Sequence, residues 1–215
     1  MKHIKTDTIG ESWLKASESI INNGSRTIYD GNEVILESLP LTIEILNPID
    51  NDKLLNKYAK GEYIDFMVEN FRNMNPISNW GYSYAQRLYD MNGINQIEQV
   101  IDLLKQRPNA KSATINLLKP SEDTIHKPCL TTIDFKLRDE SLIVIGFFRS
   151  QDIGKKMYAD ALQLKHLGDV VAKELGITSV SVIHLISSAH IYKTDLEDIY
   201  NILTKESITF KRRLI

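Results

Sequence analysis

The chain has 215 residues, enough to bury a sizeable core, and is expected to form one domain over residues 1–215. At 42% hydrophobic, 25% charged and a formal charge of −2, it offers no basic face for a nucleic-acid backbone and no apolar run long enough to span a bilayer. A single cysteine, Cys129, excludes an intrachain disulfide and a multi-cysteine zinc site and points to a reducing compartment. The opening segment MKHIKTDTIGESW lacks the apolar stretch of a signal peptide, so a cytoplasmic protein is expected.

In chain order, ESWLKASESIINNG puts Trp13, Ser17, Ile20 and Ile21 on one helical face, and Gly24 ends it. SRTIYDGN reads as turn chemistry carrying one arginine, Arg26. EVILESLPLTIEIL reads as extended, with Leu41, Ile43 and Ile45 alternating against Thr42 and Glu44. INQIEQVIDLLKQRP repeats Ile94, Ile97, Ile101 and Leu104 at helical spacing until Pro108 stops it. SATINLL and LTTIDFKLR read as strands, the second alternating Ile133, Phe135 and Leu137 against Thr132, Asp134 and Lys136. SLIVIGFF is apolar on both faces, the pattern of a central strand covered on both sides. IGKKMYADALQLKHLGDVVAKELG carries Met157, Ala161, Leu164, Leu167, Val171 and Leu175 along one stripe, with Gly176 as C-cap. SVSVIHLISSAHIY reads as one more strand and DLEDIYNILTK as a late helix starting near Asp195. Strands and helices mixed in this way predict an α/β or α+β layer fold.

Four features can carry chemistry. Cys129, in HKPCL, sits at a loop-to-strand junction behind Pro128. A lone cysteine is more often a buried small hydrophobe than a nucleophile, and a reactive one needs a cation beside it. Arg149 supplies that cation if its strand and the one after Cys129 pair as a hairpin. FFRSQD sets Arg149, Ser150 and Asp152 close together after an apolar strand, either as a solvated strand end or as a phosphate site, because guanidinium and hydroxyl donors match phosphate oxygens. Arg26 is a second phosphate candidate or a solvated loop arginine. Asp160 lies three residues after Met157 and four before Leu164, on the apolar face of its helix. An unpartnered carboxylate is costly there, so it either reaches water at the edge of the stripe or faces a cavity. SSAHIY presents His190 and Tyr192 on one side of a strand end, a pair able to hydrogen-bond a sugar hydroxyl. No metal-ligand spacing and no glycine-rich triphosphate loop is present.

Taken in order, GSRT, YSYAQRL, RPNAKSATINL, KPCL, FFRSQDIGKKMYAD and SSAHIY resemble the thymidylate synthase superfamily, from Arg26 to Tyr192, and most of all its compact archaeal and phage branches. The resemblance implies a sandwich with a mixed sheet flanked by helices, acting as a homodimer on a pyrimidine nucleoside monophosphate and a folate. It implies that Cys129 attacks carbon six of the ring, that Arg26, Arg149 and Ser150 hold the 5′-phosphate, and that His190 and Tyr192 contact the ribose. Asp152 resembles the family's pterin-contacting aspartate, and Glu62, in EYIDFM, its glutamate for water and proton transfer.

Three departures sharpen this expectation. Where thymidylate synthases carry an asparagine that reads uracil, eight residues after the aspartate, this chain has Asp160. A carboxyl group fits cytosine by donating its proton to the ring nitrogen and accepting from the amino group. The cytidylate hydroxymethylases of the superfamily carry the same aspartate. In NAKSA, Lys111 and Ser112 stand where the family has paired arginines that cross a dimer interface to the phosphate. Leu130 stands where bacterial synthases often have a histidine. The resemblance thus implies a cytidylate hydroxymethylase acting on CMP or dCMP with 5,10-methylenetetrahydrofolate. Its rivals are a compact thymidylate synthase or cytidylate methylase, and a non-catalytic nucleotide-binding relative.

Overall fold

The computed structural model describes residues 2–77 and 81–213. Along them run β1 (Lys2–Thr6), α1 (Ile9–Asn23), β2 (Ser25–Tyr29), β3 (Glu33–Ser38), β4 (Leu41–Ile45), α2 (Lys53–Tyr58), α3 (Gly61–Arg72), α4 (Tyr84–Tyr89) and α5 (Gln96–Gln106). There follow β5 (Thr114–Asn116), β6 (Leu130–Arg138), β7 (Ser141–Phe148), β8 (Gln151–Asp152), α6 (Met157–Leu175), β9 (Ser179–Ile186), β10 (Ala189–Tyr192) and α7 (Leu196–Lys205). The strands form a six-stranded sheet, β1-β4-β9-β7-β6-β5, and a four-stranded sheet, β2-β3-β10-β8. Both mix parallel and antiparallel pairs, and helices cover one face of the larger sheet, so the α/β class with mixed sheets stands.

Helix α6 is the central support. Its buried stripe, from Met157 through Ala161, Leu164, Leu167 and Val171, lies on β7 and β9, with α1, α3 and α5 beside it. Gly168 permits the close approach, because a Cβ there would come within 2.6 Å of Val180 Cγ1 and 2.8 Å of Val144 Cγ2. Gly176 then caps the helix at φ 70°, a left-handed conformation that glycine adopts without strain.

Tertiary pairing overrides several local expectations. SRTIYDGN, expected as a turn, contains β2, which zips onto β3 and turns only at Asp30–Asn32. EVILESLPLTIEIL is extended as expected and forms two strands, β3 and β4, sent to different sheets after a break at Leu39 and Pro40. SVSVIHLISSAHIY likewise divides at Ser187 and Ser188 into β9 in the large sheet and β10 in the small one. Ile94 precedes Asn95, whose side chain caps α5 by accepting from Ile97 and Glu98 N–H, so Ile94 is exposed. SLIVIGFF, expected to be covered on both sides, is covered on one. Leu142, Val144 and Phe148 are buried beneath α6, but Ile143 and Ile145 are half-buried and Phe147 is exposed on the opposite face.

The two breaks that divide these segments coincide. The neighbouring parallel strands β7 and β9 both leave the large sheet, and β8 and β10 re-pair in parallel in the small one. Ser187 N donates to Phe148 O and Gln151 N to Ser188 O across this step. The candidate site lies at the resulting seam between the sheets.

Candidate functional site at the seam

Cys129 immediately precedes β6, and β6 pairs with β7 as the hairpin that brings Arg149 to it: Arg149 N donates to Cys129 O at 2.9 Å. The thiol is exposed, and Ser150 Oγ lies 3.6 Å from Cys129 Sγ. Arg149 Nε donates to Pro128 O at 3.0 Å, Nη2 to Lys127 O at 2.7 Å and Nη1 to Ser150 Oγ at 3.2 Å. Two of its five N–H donors therefore fasten the loop before the cysteine and a third meets Ser150, which leaves two for an anion.

Behind the thiol, Asp160 is not at the watery edge of its stripe: only 7% of its surface is exposed. Burial pushes its carboxyl up to about 7 against the lowering effect of a hydrogen bond from Gln151. That bond runs from Gln151 Nε2 to Asp160 Oδ2 at 3.0 Å, and Gln151 Oε1 meets His184 Nδ1 at 3.0 Å. His184 is fully buried, stacked on Phe148, and burial pushes its imidazole down to about 3, so it is neutral. Tyr84 Oη accepts from Leu130 N at 3.0 Å, and burial together with the charges of Cys129 and Asp160 pushes its hydroxyl well above the usual tyrosine value. The thiol and the buried carboxyl therefore act on the same phenol.

Asp152 and His190 are paired in register where β8 meets β10. Burial, with Asp195 adding to it, pushes the Asp152 carboxyl up to about 6 against the pull of Lys155, and burial lowers the His190 imidazole. His190 and Tyr192 stand edge to face with centroids 5.2 Å apart, on one side of β10 as the spacing predicts. Glu62 lies exposed in the first turn of α3, where its charge and that of Asp152 both reach Tyr158.

Two expected site residues are not brought in. Arg26 is exposed on the edge strand β2, in the row Arg26, Leu36, Ile191, which faces away from the row containing His190. Lys111 is exposed beside the far end of β6, where its carbonyl accepts from Lys136 Nζ at 3.0 Å. Six residues of strand, about 20 Å, separate that point from Leu130. Within one chain Lys111 does not reach the thiol.

Sequence reading missed Gln151, His184 and Tyr84. The available signal was His184 at an inward position between buried Val182 and Ile186 on β9, the register of a satisfied core polar group. It also missed the buried pair of Arg87 and Asp123. Arg87 Nη1 donates to Asp123 Oδ2 at 2.7 Å, Lys119 N adds a second donor at 2.7 Å, and the guanidinium lies 3.8 Å over the Tyr82 ring. This pair ties α4 to the loop that leads to Cys129.

The family model described as thymidylate synthase matches residues 49–213. A protein of Methanosarcina mazei, provisionally named thymidylate synthase, is 30% identical over 93% of this chain and 94% of its own length. Proteins of the same provisional name from Methanothermobacter thermautotrophicus and Methanothermobacter marburgensis are 30% and 29% identical, each over 91% of this chain and 95% of theirs. With a match extending over most of both chains, this chain belongs to the thymidylate synthase family.

Proposed function

We propose that the chain, working as one domain in a reducing cytoplasm, is a cytidylate 5-hydroxymethylase that transfers a one-carbon unit to carbon five of CMP or dCMP. What carries this reading is Asp160: a buried carboxyl, pushed up to about 7, on the apolar face of α6. At neutral pH such a group is readily protonated, so it donates to the unprotonated ring nitrogen of cytosine and accepts from the adjacent amino group. Against uracil, whose ring nitrogen is a donor beside a carbonyl, the same proton meets a donor and the ionised form meets an acceptor. Mispairing a buried polar edge discriminates by about 10⁴ in other enzymes.

Cys129 is the nucleophile of this reading. Its sulfur adds to carbon six, which makes carbon five electron-rich, and Asp160 at the ring nitrogen carries the accompanying shift of charge. Ser150 and the two remaining donors of Arg149 suit the 5′-phosphate, with Lys111 from a second copy adding a further charge. His190 and Tyr192 suit the sugar. Asp152 fits a pterin, because a buried carboxyl pushed up to about 6 accepts well from ring and amino N–H groups. 5,10-Methylenetetrahydrofolate held there supplies a carbon at the oxidation level of formaldehyde. Glu62, on the neighbouring helix, is the group to deliver water and relay protons.

A homodimer completes the reading. The uncovered face of the six-stranded sheet gathers Ile143, Ile145, Phe147, Ile183 and Leu185 into one apolar patch, the surface a second copy would bury.

The relatives' names support a second reading, a thymidylate synthase or a methylase of cytidylate. Turnover with dUMP, dCMP and CMP, following tetrahydrofolate against dihydrofolate by absorbance, separates them. The hydroxymethylase gives tetrahydrofolate with a cytosine nucleotide; dihydrofolate formed from dUMP overturns it. Mass spectrometry with a 5-fluorocytidylate and the folate addresses a non-catalytic relative, which would form no adduct on Cys129.

A further inference from the structure

Asp160 discriminates cytosine from uracil only if the proton sits on the oxygen facing the ring. A lone carboxyl has two equivalent oxygens and no reason to choose. Here the choice is imposed from behind. Gln151 is 2% exposed and its amide bridges two buried groups, Asp160 Oδ2 and His184 Nδ1, each at 3.0 Å. His184 is neutral, so a single ring nitrogen carries its proton, and an amide carbonyl opposite Nδ1 selects Nδ1–H. Among the described residues His184 Nε2 has no hydrogen-bond partner, so none of them competes for the proton on that side.

The Nδ1–H donor in turn fixes the amide. Turning Gln151 over would face its NH₂ toward the His184 N–H and its carbonyl toward Asp160. That orientation is satisfied only if Asp160 turns its proton away from the ligand. With the amide as found, Oδ2 already accepts from Gln151 and is the carbonyl oxygen, with a second lone pair free for an exocyclic amine. The proton is left to Oδ1.

We propose that His184 and Gln151 are positioning residues for base specificity: the relay from His184 Nδ1–H through the Gln151 amide assigns Oδ2 of Asp160 as acceptor and Oδ1 as donor, presenting cytosine's complement. This inference rests on the cytosine reading above, which concerns Asp160 and the substrate, and extends it to two residues that touch neither ring nor folate. The other titratable groups whose charge bears on Asp160 are Lys156 on its own helix, Asp152 on β8 and Tyr84 on α4; Lys156 lowers its proton affinity and Asp152 raises it.

The test has a substrate-free arm and a kinetic arm. In the ligand-free protein, ¹³C NMR of the Asp160 carboxyl reads its titration directly. Gln151→Met removes the N–H donor to the carboxylate and should raise the midpoint by about one pH unit or more. In the kinetic arm, the same variant should lower the ratio of kcat/KM for cytosine over uracil nucleotides at least tenfold. His184→Leu frees the amide to turn and should erode that ratio, whereas His184→Asn, whose side-chain NH₂ can stand near the Nδ1 position, should keep most of it. That rescue separates proton assignment from packing, because both variants lose the ring stacked on Phe148. Circular dichroism establishes that each variant is folded. An Asp160 midpoint that does not move in Gln151→Met overturns the relay whatever the substrate, and equal ratios in the two His184 variants overturn its dependence on the Nδ1 donor. A wild-type preference for uracil overturns the cytosine reading instead and leaves the titration arm to decide the relay.

Discussion

Two aspartates of this protein are both shielded from solvent and opposite in character. Asp123, 3% exposed, faces Arg87 and the Lys119 N–H, which outweigh its burial and hold it below the usual carboxylate range. Asp160, 7% exposed, accepts its hydrogen bond from the neutral amide of Gln151, and burial pushes it up to about 7. Depth alone therefore does not determine what a buried acid is. A matched cation makes it a fixed anion that staples a loop, and a neutral dipole makes it an acid that can hand over a proton at neutral pH.

The largest consequence falls on specificity. Asp160→Asn exchanges a proton donor and acceptor for an amide that accepts from uracil's ring N–H and donates to its carbonyl. We expect the cytosine-to-uracil ratio of kcat/KM to fall by about 10³- to 10⁴-fold. An unchanged ratio would break the contrast, because Asp160 would then be a buried acid without a chemical role. Stability should behave the other way round. Arg87→Met strands the Asp123 anion and should cost about 3–5 kcal/mol in urea unfolding. Asp160→Asn strands nothing, since an asparagine oxygen still accepts from Gln151, and at pH 7 it should cost less than about 1 kcal/mol.

The protonation of Asp160 also leaves a signature in stability against pH. Its folded value of about 7 lies above the ordinary 3.8, so between those limits the folded state holds a proton that the unfolded state has lost, and stability falls as pH rises. His184 has the opposite sign. Its folded value of about 3 lies below 6.5, so the unfolded state holds the extra proton and stability rises with pH over that window. The two slopes oppose each other where the windows overlap. Thermal unfolding of Asp160→Asn should therefore show stability relative to wild type increasing by about 2 kcal/mol from pH 4.5 to 6, and His184→Asn should show it decreasing by about the same amount. Parallel curves for wild type and Asp160→Asn would mean that the carboxyl is ionised in the folded state, as Asp123 is.

The contrast explains what was legible in the sequence. Asp160 was visible because a charge on an apolar helical stripe violates a periodicity, and Cys129, Arg149, Ser150, Asp152, His190 and Tyr192 because they fall in ordered motifs. The seam was not visible. Whether IHLISSAHIY is one strand or two depends on which sheet each half joins, and that is decided by Phe148, Gln151 and their partners far along the chain. Gln151 and His184 were hidden for the same reason: they are 33 residues apart, and their link exists only once β8 and β9 are in place. Arg87 and Asp123 carry no local signal either, since an arginine in a short helix and an aspartate in a loop are ordinary until one buries the other. SLIVIGFF misled by being apolar on both faces, which reads as full coverage when only one face is covered within the chain.

A smaller effect than stranding Asp123 joins the two regions. Tyr84 stands on α4, three residues before Arg87, and its hydroxyl accepts from Leu130 N–H at the residue following Cys129. It is 4% exposed, and the charge of Asp160 reaches it as well as that of the thiol. Tyr84→Phe keeps the ring against Phe71 and deletes one oxygen, leaving a buried backbone N–H without an acceptor. The cost should be about 1–2 kcal/mol in urea unfolding, well below that of stranding Asp123. If the hydroxyl only anchors β6, turnover should fall in step with the displacement of Cys129, and its pH profile should keep its shape. If it also conveys the field of Asp160 to the thiol, the rate of alkylation of Cys129 by iodoacetamide should lose its inflection near pH 7 in Asp160→Asn and retain it in Arg87→Met. Loss of that inflection in both variants, or in neither, would show that the helix of the clamp and the acid of the seam act on the nucleophile through packing alone.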